Sequence, residues 1–436
     1  MKKFVLFTLC SLLTSSALAN LSKTETNLVK FIDSNNAQAI ELLKRVVNIN
    51  SGTMNFTGVR HVANVLIPEF QQLGFKVRFE DGSTFNRAGH LIAELHGGKG
   101  PKLLLIGHLD TVFSANSSFQ TFEQIANTQL AKGPGISDMK GGDIIILQAL
   151  KALKAVGELA DMNITVIMTG DEELSGNPLA KSKQALIEAA KWADIAIGFE
   201  DGDGNPKTAN ISRRGAVDWH VSSHGVAAHS SQIFTQKIGA GAIYESARII
   251  NSFYHELRKE ALLTVNLGNI AGGTTVNYQA KTNTSTAFGK SNVVSQTALF
   301  SGDIRAMSLT QLTRVKNTMQ AIVAEHLPQT NSVITFGEGY PPMAPTAGNK
   351  KLLSLYSQVS EDLKQGSVSA VNPLNAGAAD VSFTANYVSM AIDGLGLSGS
   401  GGHTIHEQGD LAALPKQTKR AAILLSRLKK QPEYTF

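Results

Sequence analysis

The sequence predicts an α/β protein in which a helix-covered mixed sheet is interrupted by a smaller α+β unit. Three observations carry this expectation. Short apolar runs alternate with segments of helical period up to about Ala209, the texture changes from Asn210 onward, and three separate strand ends each deliver a residue of metal-ligand type.

The elements follow in order. Glu25 to Val47 and Gly58 to Leu73 place apolar residues at helical spacing, whereas Lys76 to Phe79, Leu91 to Leu95, Leu103 to Ile106, Ile164 to Met168 and Ile195 to Phe199 read as short strands. Ile144 to Val156 and Leu179 to Ala193 read as helices between them. In open α/β sheets ligands gather at the carboxyl ends of strands, and His108, Glu172 and Glu200 each stand just past such an end. Beyond Asn210 the pattern becomes a strand over Ala216 to Ser223, a helix over Ile238 to Glu260, strands over Leu263 to Leu267 and Thr297 to Arg305, and a helix over Leu309 to His326. The mixed α/β texture returns after Ser332. A chain of 436 residues exceeds what one core usually covers. The expected organisation is therefore one domain from 20–209 and 328–436, with a second domain, 210–327, inserted into it.

The chain opens with Met1, Lys2 and Lys3, an apolar run from Phe4 to Leu13, and the small-residue ending Ala17, Leu18, Ala19. These are the three parts of a secretory signal peptide, residues 1–19, with cleavage expected after Ala19 and a periplasmic or secreted product. No run approaches the roughly 20 apolar residues of a membrane span, so no membrane partner is expected. Cys10, the only cysteine, lies in this leader. Disulfides, a thiol nucleophile and thiolate ligands are thereby excluded from the mature chain, and a metal must be held by His, Asp and Glu. The net charge of +5, two units of which leave with Lys2 and Lys3, is too weak and dispersed to indicate nucleic acid. No Gly-x-Ser-x-Gly elbow offers a serine nucleophile.

The chemistry concentrates in a few segments. Asp171, Glu172 and Glu173 are adjacent carboxylates at the end of the Ile164 to Met168 run, and such a cluster repels itself unless cations hold it. One metal ligand and one free base among them is what hydrolysis requires, because the metal acidifies water and the base takes its proton. In His108-x-Asp110 an imidazole can meet a metal while the carboxylate orients it or its surroundings. Asp138 lies in the glycine-bounded segment Gly135 to Gly142, where it can bridge two cations or cap the helix that follows. Glu200 has Asp201 as a rival, and His403, after a Gly/Ser run, has His406.

Taken together and in this order, His108-x-Asp110, the Gly135 to Gly142 segment, Asp171 to Glu173, Phe199-Glu200 and Gly402-His403-x-x-x-Glu407 resemble the dizinc metallopeptidase family of glutamate carboxypeptidase (carboxypeptidase G type), aminoacylase and succinyl-diaminopimelate desuccinylase. The glutamate carboxypeptidase branch is the most similar, including the early segment Ile49 to Thr53. The resemblance implies two Zn²⁺ per subunit, His108 and Glu200 on one, Glu173 and His403 on the other, with Asp138 bridging. It implies Glu172 as general base and proton shuttle, and Asp110 as the group orienting His108. In the inserted domain Gly225 to Ser230 resembles the lid motif, whose His229 would stabilise an oxyanion and often serves the partner subunit. Gly272 to Asn277 and Gly302 to Arg305 resemble substrate-clamping elements, with Asn277 and Arg305 binding substrate and Arg305 pairing with a carboxylate. One departure is Asp201-Gly202-Asp203, where the family often has proline and a small hydroxyl residue.

The implied function is an exported zinc hydrolase of a peptide or N-acyl amino acid, releasing a C-terminal residue and dimerising through its inserted domain. An aminopeptidase or dipeptidase of the same family, and a non-catalytic binding protein on the same fold, are the alternatives.

Overall fold

In the central strands consecutive residues, not only alternate ones, are apolar, a pattern that a sheet adopts when both of its faces are covered. The computed structural model describes residues 21–98, 100–279 and 284–430, and the expected leader, 1–19, lies outside them. Its larger sheet has the strand order 76–81, 89–95, 163–169, 102–108, 195–198, 390–392. The first two pairings are antiparallel and the other three parallel, so the sheet is mixed. Leu103, Leu105, Val166, Met168 and Ile197 face the helices Lys23–Val47, Phe56–Leu73, Gly141–Ala155 and Ala413–Lys429. Leu104, Ile106, Ile167 and Ala196 face the other way, against the helix Gln184–Trp192 and the 3₁₀ turn Asp380–Thr384.

The parallel register decides where the site lies. His108 pairs with Thr169, and Ile106 with Gly198, so three strands stop at one edge of the sheet. The Leu109 amide donates to Thr169 O (2.7 Å) and the Phe199 amide to Ile106 O (3.1 Å), which carries the register into the turns. His108, Glu172 and Glu200 therefore leave the sheet side by side.

A second, antiparallel sheet has the order 264–273, 297–306, 215–225, 330–340. Trp219, Val221, Phe300 and Ile304 bury one of its faces against the helices Ala242–Leu257 and Leu309–Ala324. Its outer strand, Thr330–Tyr340, lies wholly beyond residue 327, where the sequence pattern closes the insertion. The helix expected over Ile238 to Glu260 is shorter, because Gly239 and Gly241 have positive φ (69° and 77°), which a helix cannot accommodate. The helix expected over Leu179 to Ala193 divides at Lys183. A hairpin, Thr275–Gln279 with Thr284–Phe288, and the helices Ala347–Asp362 and Ala413–Lys429 are elements that pattern alone leaves unassigned. Among the described residues no helix is long and apolar enough to cross a membrane.

The first and last helices are tied by one carboxylate. Glu25 accepts the Ser22 amide (2.7 Å) in a capping box and Arg427 Nε (2.6 Å). Burial works to raise its pKa, but the bond from Arg427 and the Ser22 contacts hold it below the usual 4.5. A depressed carboxyl stabilises the fold above its unfolded pKa and loses that contribution as pH falls through the folded value. Glu25→Gln is therefore expected to lower stability at neutral pH and to flatten its decline below about pH 4.5, as urea titrations across pH 3–7 would record. Parallel declines in both proteins would contradict this.

Candidate active site

The site grows out of the strand ends through one buried carboxylate. Asp110 Oδ1 accepts the Glu172 amide (3.1 Å), and its Oδ2 accepts the Glu173 amide (3.2 Å) and Thr53 Oγ1 (2.6 Å). His108 Nδ1 lies 3.0 Å from the Asp110 carbonyl oxygen and 3.5 Å from its carboxylate. A proton on Nδ1 suits both acceptors, so a cation that displaced the Nε2 proton would meet a lone pair aimed into the cleft. The side chain of Asp110 mainly holds the carboxylate turn, while its main chain orients His108.

Asp138 stands between two imidazoles. Its Oδ1 is 3.2 Å from His108 Nε2 and its Oδ2 is 2.9 Å from His403 Nε2. Glu200 Oε1 completes the first side at 3.5 Å from His108 Nε2, and Glu173 Oε2 the second at 3.2 Å from His403 Nε2. Ligands about 2.0–2.2 Å from a tetrahedral zinc lie roughly 3.4 Å from one another, and each imidazole Nε2 stands 2.9–3.5 Å from two carboxylate oxygens. Donor atoms of His108, Glu172 and Glu200, and of His108, Asp138 and Glu173, fall within 4.8 Å of one another. His403, His406 and Asp201 belong to neither group, but His403 meets Asp138 and Glu173 directly.

The electrostatics favour the same occupant. Burial and the nearby Glu200 carboxylate push Glu172 well above its ordinary pKa, and burial with Asp138 and Asp393 pushes Glu200 up to about 7 despite His108. The two histidines supply the counter-charge: hydrogen bonds to Asp138 and Glu173 raise His403 to about 11. Against the pull of burial, His108 and His403 hold Asp138 below the carboxylate range. A pocket whose imidazoles stand in as cations among crowded carboxylates fits a pair of divalent ions.

Residues beyond the expected ligands and base fix this arrangement; Glu407, Gly135 and Asp171 stand inside the motifs without an expected role, whereas Asp393, Arg213, Lys183, Asp380 and Tyr340 stand outside them. Glu407 accepts the amides of Gly135 (2.9 Å), Ser137 (3.0 Å) and Asp138 (3.2 Å), clamping the loop that presents Asp138. Gly135 in that loop has φ 73°, and a Cβ there would meet Thr111 Cγ2 at 2.5 Å. Asp393 accepts the Glu200 amide (3.3 Å) and Arg213 Nε (2.7 Å). Asp171 turns away from the cleft to Lys183 Nζ (3.0 Å), which also meets Asp380 Oδ1 (2.9 Å). Tyr340, from the last strand of the second sheet, donates to Glu172 O (2.8 Å). For those outside the motifs, a charged residue inside an apolar run, as in Ala379-Asp380-Val381, is a signal by which sequence could have found Asp380.

The structure does not bring every expected site residue together. His229 is exposed, with Nδ1 2.8 Å from Ser231 Oγ; Asn277 is exposed in the hairpin opposite Thr286; Arg305 pairs with Asp303 (2.7 Å). Among the described residues no hydrogen bond or ion pair joins these three to the cluster around Asp138.

The family model described as peptidase family M20/M25/M40 matches residues 104–427. Carboxypeptidase G2 of Pseudomonas sp. is 26% identical over 391 residues, covering 89% of each chain. Among solved structures, the aminopeptidase PepT of Bacillus cereus has a TM-score of 0.69 at 17% identity, covering 91% of this chain and 99% of its own. A Bacillus subtilis protein described as a dinuclear metal binding peptidase of the M20 family has a TM-score of 0.62 at 13% identity, over 92% of this chain and 100% of its own. These two structural likenesses concern the fold.

Proposed function

The chain belongs to peptidase family M20/M25/M40, metal-dependent hydrolases of peptide bonds, and from that premise we propose that it is an exported zinc carboxypeptidase or N-acyl-amino-acid amidohydrolase. It would release a C-terminal amino acid, with glutamate favoured by the likeness to carboxypeptidase G2. The observation that supports the reading most directly is Asp138, whose two oxygens face two different imidazoles, each with its own carboxylate beside it.

In this proposal His108, Glu200 and Asp138 would hold one zinc, and Glu173, His403 and Asp138 the other; an all-nitrogen-and-oxygen donor set suits that ion. When bound, the ions supply Lewis acidity and lower the pKa of water in the cleft. Glu172, whose carboxylate lies within 4.8 Å of donor atoms of His108 and Glu200, would take the proton and deliver it to the leaving amine. His229 donates a hydrogen bond to the carbonyl oxygen as negative charge builds there. Arg305 grips the free carboxylate of the departing residue, and Asn277 hydrogen-bonds the same portion. His229 and Arg305 reach the cluster only if the inserted unit, 210–327, closes over it or is contributed by a second copy in a homodimer. Residues 1–19 would direct export and leave the mature protein in the periplasm or outside the cell.

The test is to load the mature chain with zinc, count ions per subunit, and identify what it releases from N-acyl amino acids and dipeptides. About two ions and a released C-terminal residue are expected. Arg305→Ala should raise KM about tenfold or more for substrates with a free carboxylate, the worth of a charge-assisted hydrogen bond. Absence of bound zinc, or cleavage that requires a free amino terminus and ignores a blocked carboxyl, would sink the proposal.

A further inference from the structure

A crevice of about 600 Å³ opens beside the donor cluster, with Glu173 at one end. Its walls come from Gly52 to Asn55, Thr111 to Asn116, and Glu173 with Leu174, all on the larger sheet's side of the molecule. These walls are knitted to the site. The Thr53 amide donates to Thr111 O (3.1 Å), the Thr111 amide to Ser51 O (2.9 Å), and Asn50 Nδ2 to Phe113 O (3.0 Å). Thr53 Oγ1 adds the bond to Asp110, the carboxylate that also holds the Glu172 and Glu173 amides. At Gly52 the chains approach so closely that a Cβ would meet Phe113 O at 2.3 Å.

The lining sets three large apolar side chains among the neutral polar residues Thr53, Asn55, Thr111, Ser114 and Asn116. Met54, Val112 and Leu174 leave 61%, 40% and 52% of their area exposed around one opening. Glu173 is the only charged side chain among the described lining residues, and no lysine or arginine is among them. Large apolar side chains left wet beside a reaction centre gain by covering a ligand, whereas a carboxylate at the far end of an acyl chain lying against them would lose water without meeting a lysine or arginine.

We propose that this crevice receives the acyl portion of the substrate and selects an uncharged, apolar acyl group over one ending in a carboxylate. The inference rests on the hydrolase reading above, in which Arg305 of the inserted unit takes the leaving residue. The opposite half of the substrate then lies against the larger domain, where the crevice meets Glu173. Met54, Val112 and Leu174 become the residues that set acyl preference.

The experiment compares the glutamate conjugates of hexanoate, benzoate and succinate, by kcat/KM on the zinc-loaded enzyme and by calorimetric binding to Glu172→Ala. Hexanoyl and benzoyl conjugates are expected to exceed the succinyl conjugate by about 100-fold in both readouts. Leu174→Ala should cost the hexanoyl conjugate about tenfold. Val112→Arg, an exposed change checked for an unaltered thermal transition, should move the succinyl-to-hexanoyl ratio about tenfold toward succinyl. Equal or better use of the succinyl conjugate, with glutamate still released, would overturn this inference and leave the hydrolase reading standing. Zinc-loaded enzyme that releases glutamate from none of the three would overturn both. Ratios unmoved by Leu174→Ala and Val112→Arg would place the acyl group elsewhere.

Discussion

Glu172→Ala is expected to lower kcat by about 10³-fold while bound metal stays at the wild-type level, since positioned general bases contribute roughly 10²–10⁴. The separation of the two effects follows from how the turn is held. The Glu172 main chain is fixed by Asp110 through its amide and by Tyr340 through its carbonyl, so removing the side chain leaves the turn in place. The donors at closest approach to the imidazoles are Asp138, Glu173 and Glu200, and all three survive the substitution. Metal analysis beside single-turnover rates checks both halves. Loss of one ion with the activity would make Glu172 a ligand, which its place in the His108–Glu200 group would also allow, and unchanged turnover would remove it from the reaction.

Lys183→Ala should destabilise the protein by about 3–5 kcal/mol, the usual cost of stranding buried partners of opposite charge. The ammonium is fully enclosed between Asp171 and Asp380, both of them also buried. Burial opposes its charge, but Asp380, Tyr340 and Asp171 carry its pKa well above 10.5. With the folded value above the unfolded one, the contribution is fully present at neutral pH and is lost only as pH rises through the folded pKa. Asp171 in turn accepts the Gly176 amide (2.8 Å) and is bonded by Ser182 Oγ, while Asp380 accepts Thr169 Oγ1 (2.6 Å). The turn carrying Glu172 and Glu173 is thus anchored from behind, and Lys183→Ala should also reduce kcat more than it changes KM. Urea unfolding of the mutant at pH 7 tests the first statement, and an unshifted midpoint would mean that the two carboxylates find other partners. Kinetics at a temperature where the mutant is fully folded test the second.

These two residues mark how differently parts of the site can be read from a chain. Glu172 is conspicuous because it follows an apolar strand and stands among carboxylates, and both properties are local. Lys183 is a lysine at the start of an ordinary helical pattern, and nothing near it in sequence announces that Asp380 will lie 2.9 Å away. Asp171 and Glu172 show the limit most clearly. They are adjacent and chemically alike, yet the turn sends one carboxylate into the cleft and the other toward Lys183.

The second sheet makes the same point at the scale of elements. The apolar runs of its strands at 215–225 and 297–306 are detectable alone, since one face is buried and the period is two. The strand Thr330–Tyr340 alternates less cleanly, and only its pairing with Gly215–Gly225 defines it. His229, Asn277 and Arg305 lie on this second unit, away from the cluster that their motifs imply they serve.

By itself the sequence determined what is written over a few residues: helix and strand periods, the strand ends that carry His108, Glu172 and Glu200, the glycine turns around Asp138 and His403, and a donor set without cysteine. Only the tertiary structure decided which carboxylate faces which imidazole, that Glu407 clamps the Asp138 loop, and that Lys183 anchors the carboxylate turn. The reason is physical. Periodicity and turn chemistry arise from neighbours along the chain, whereas side-chain partners are set by strand register and by packing between segments hundreds of residues apart.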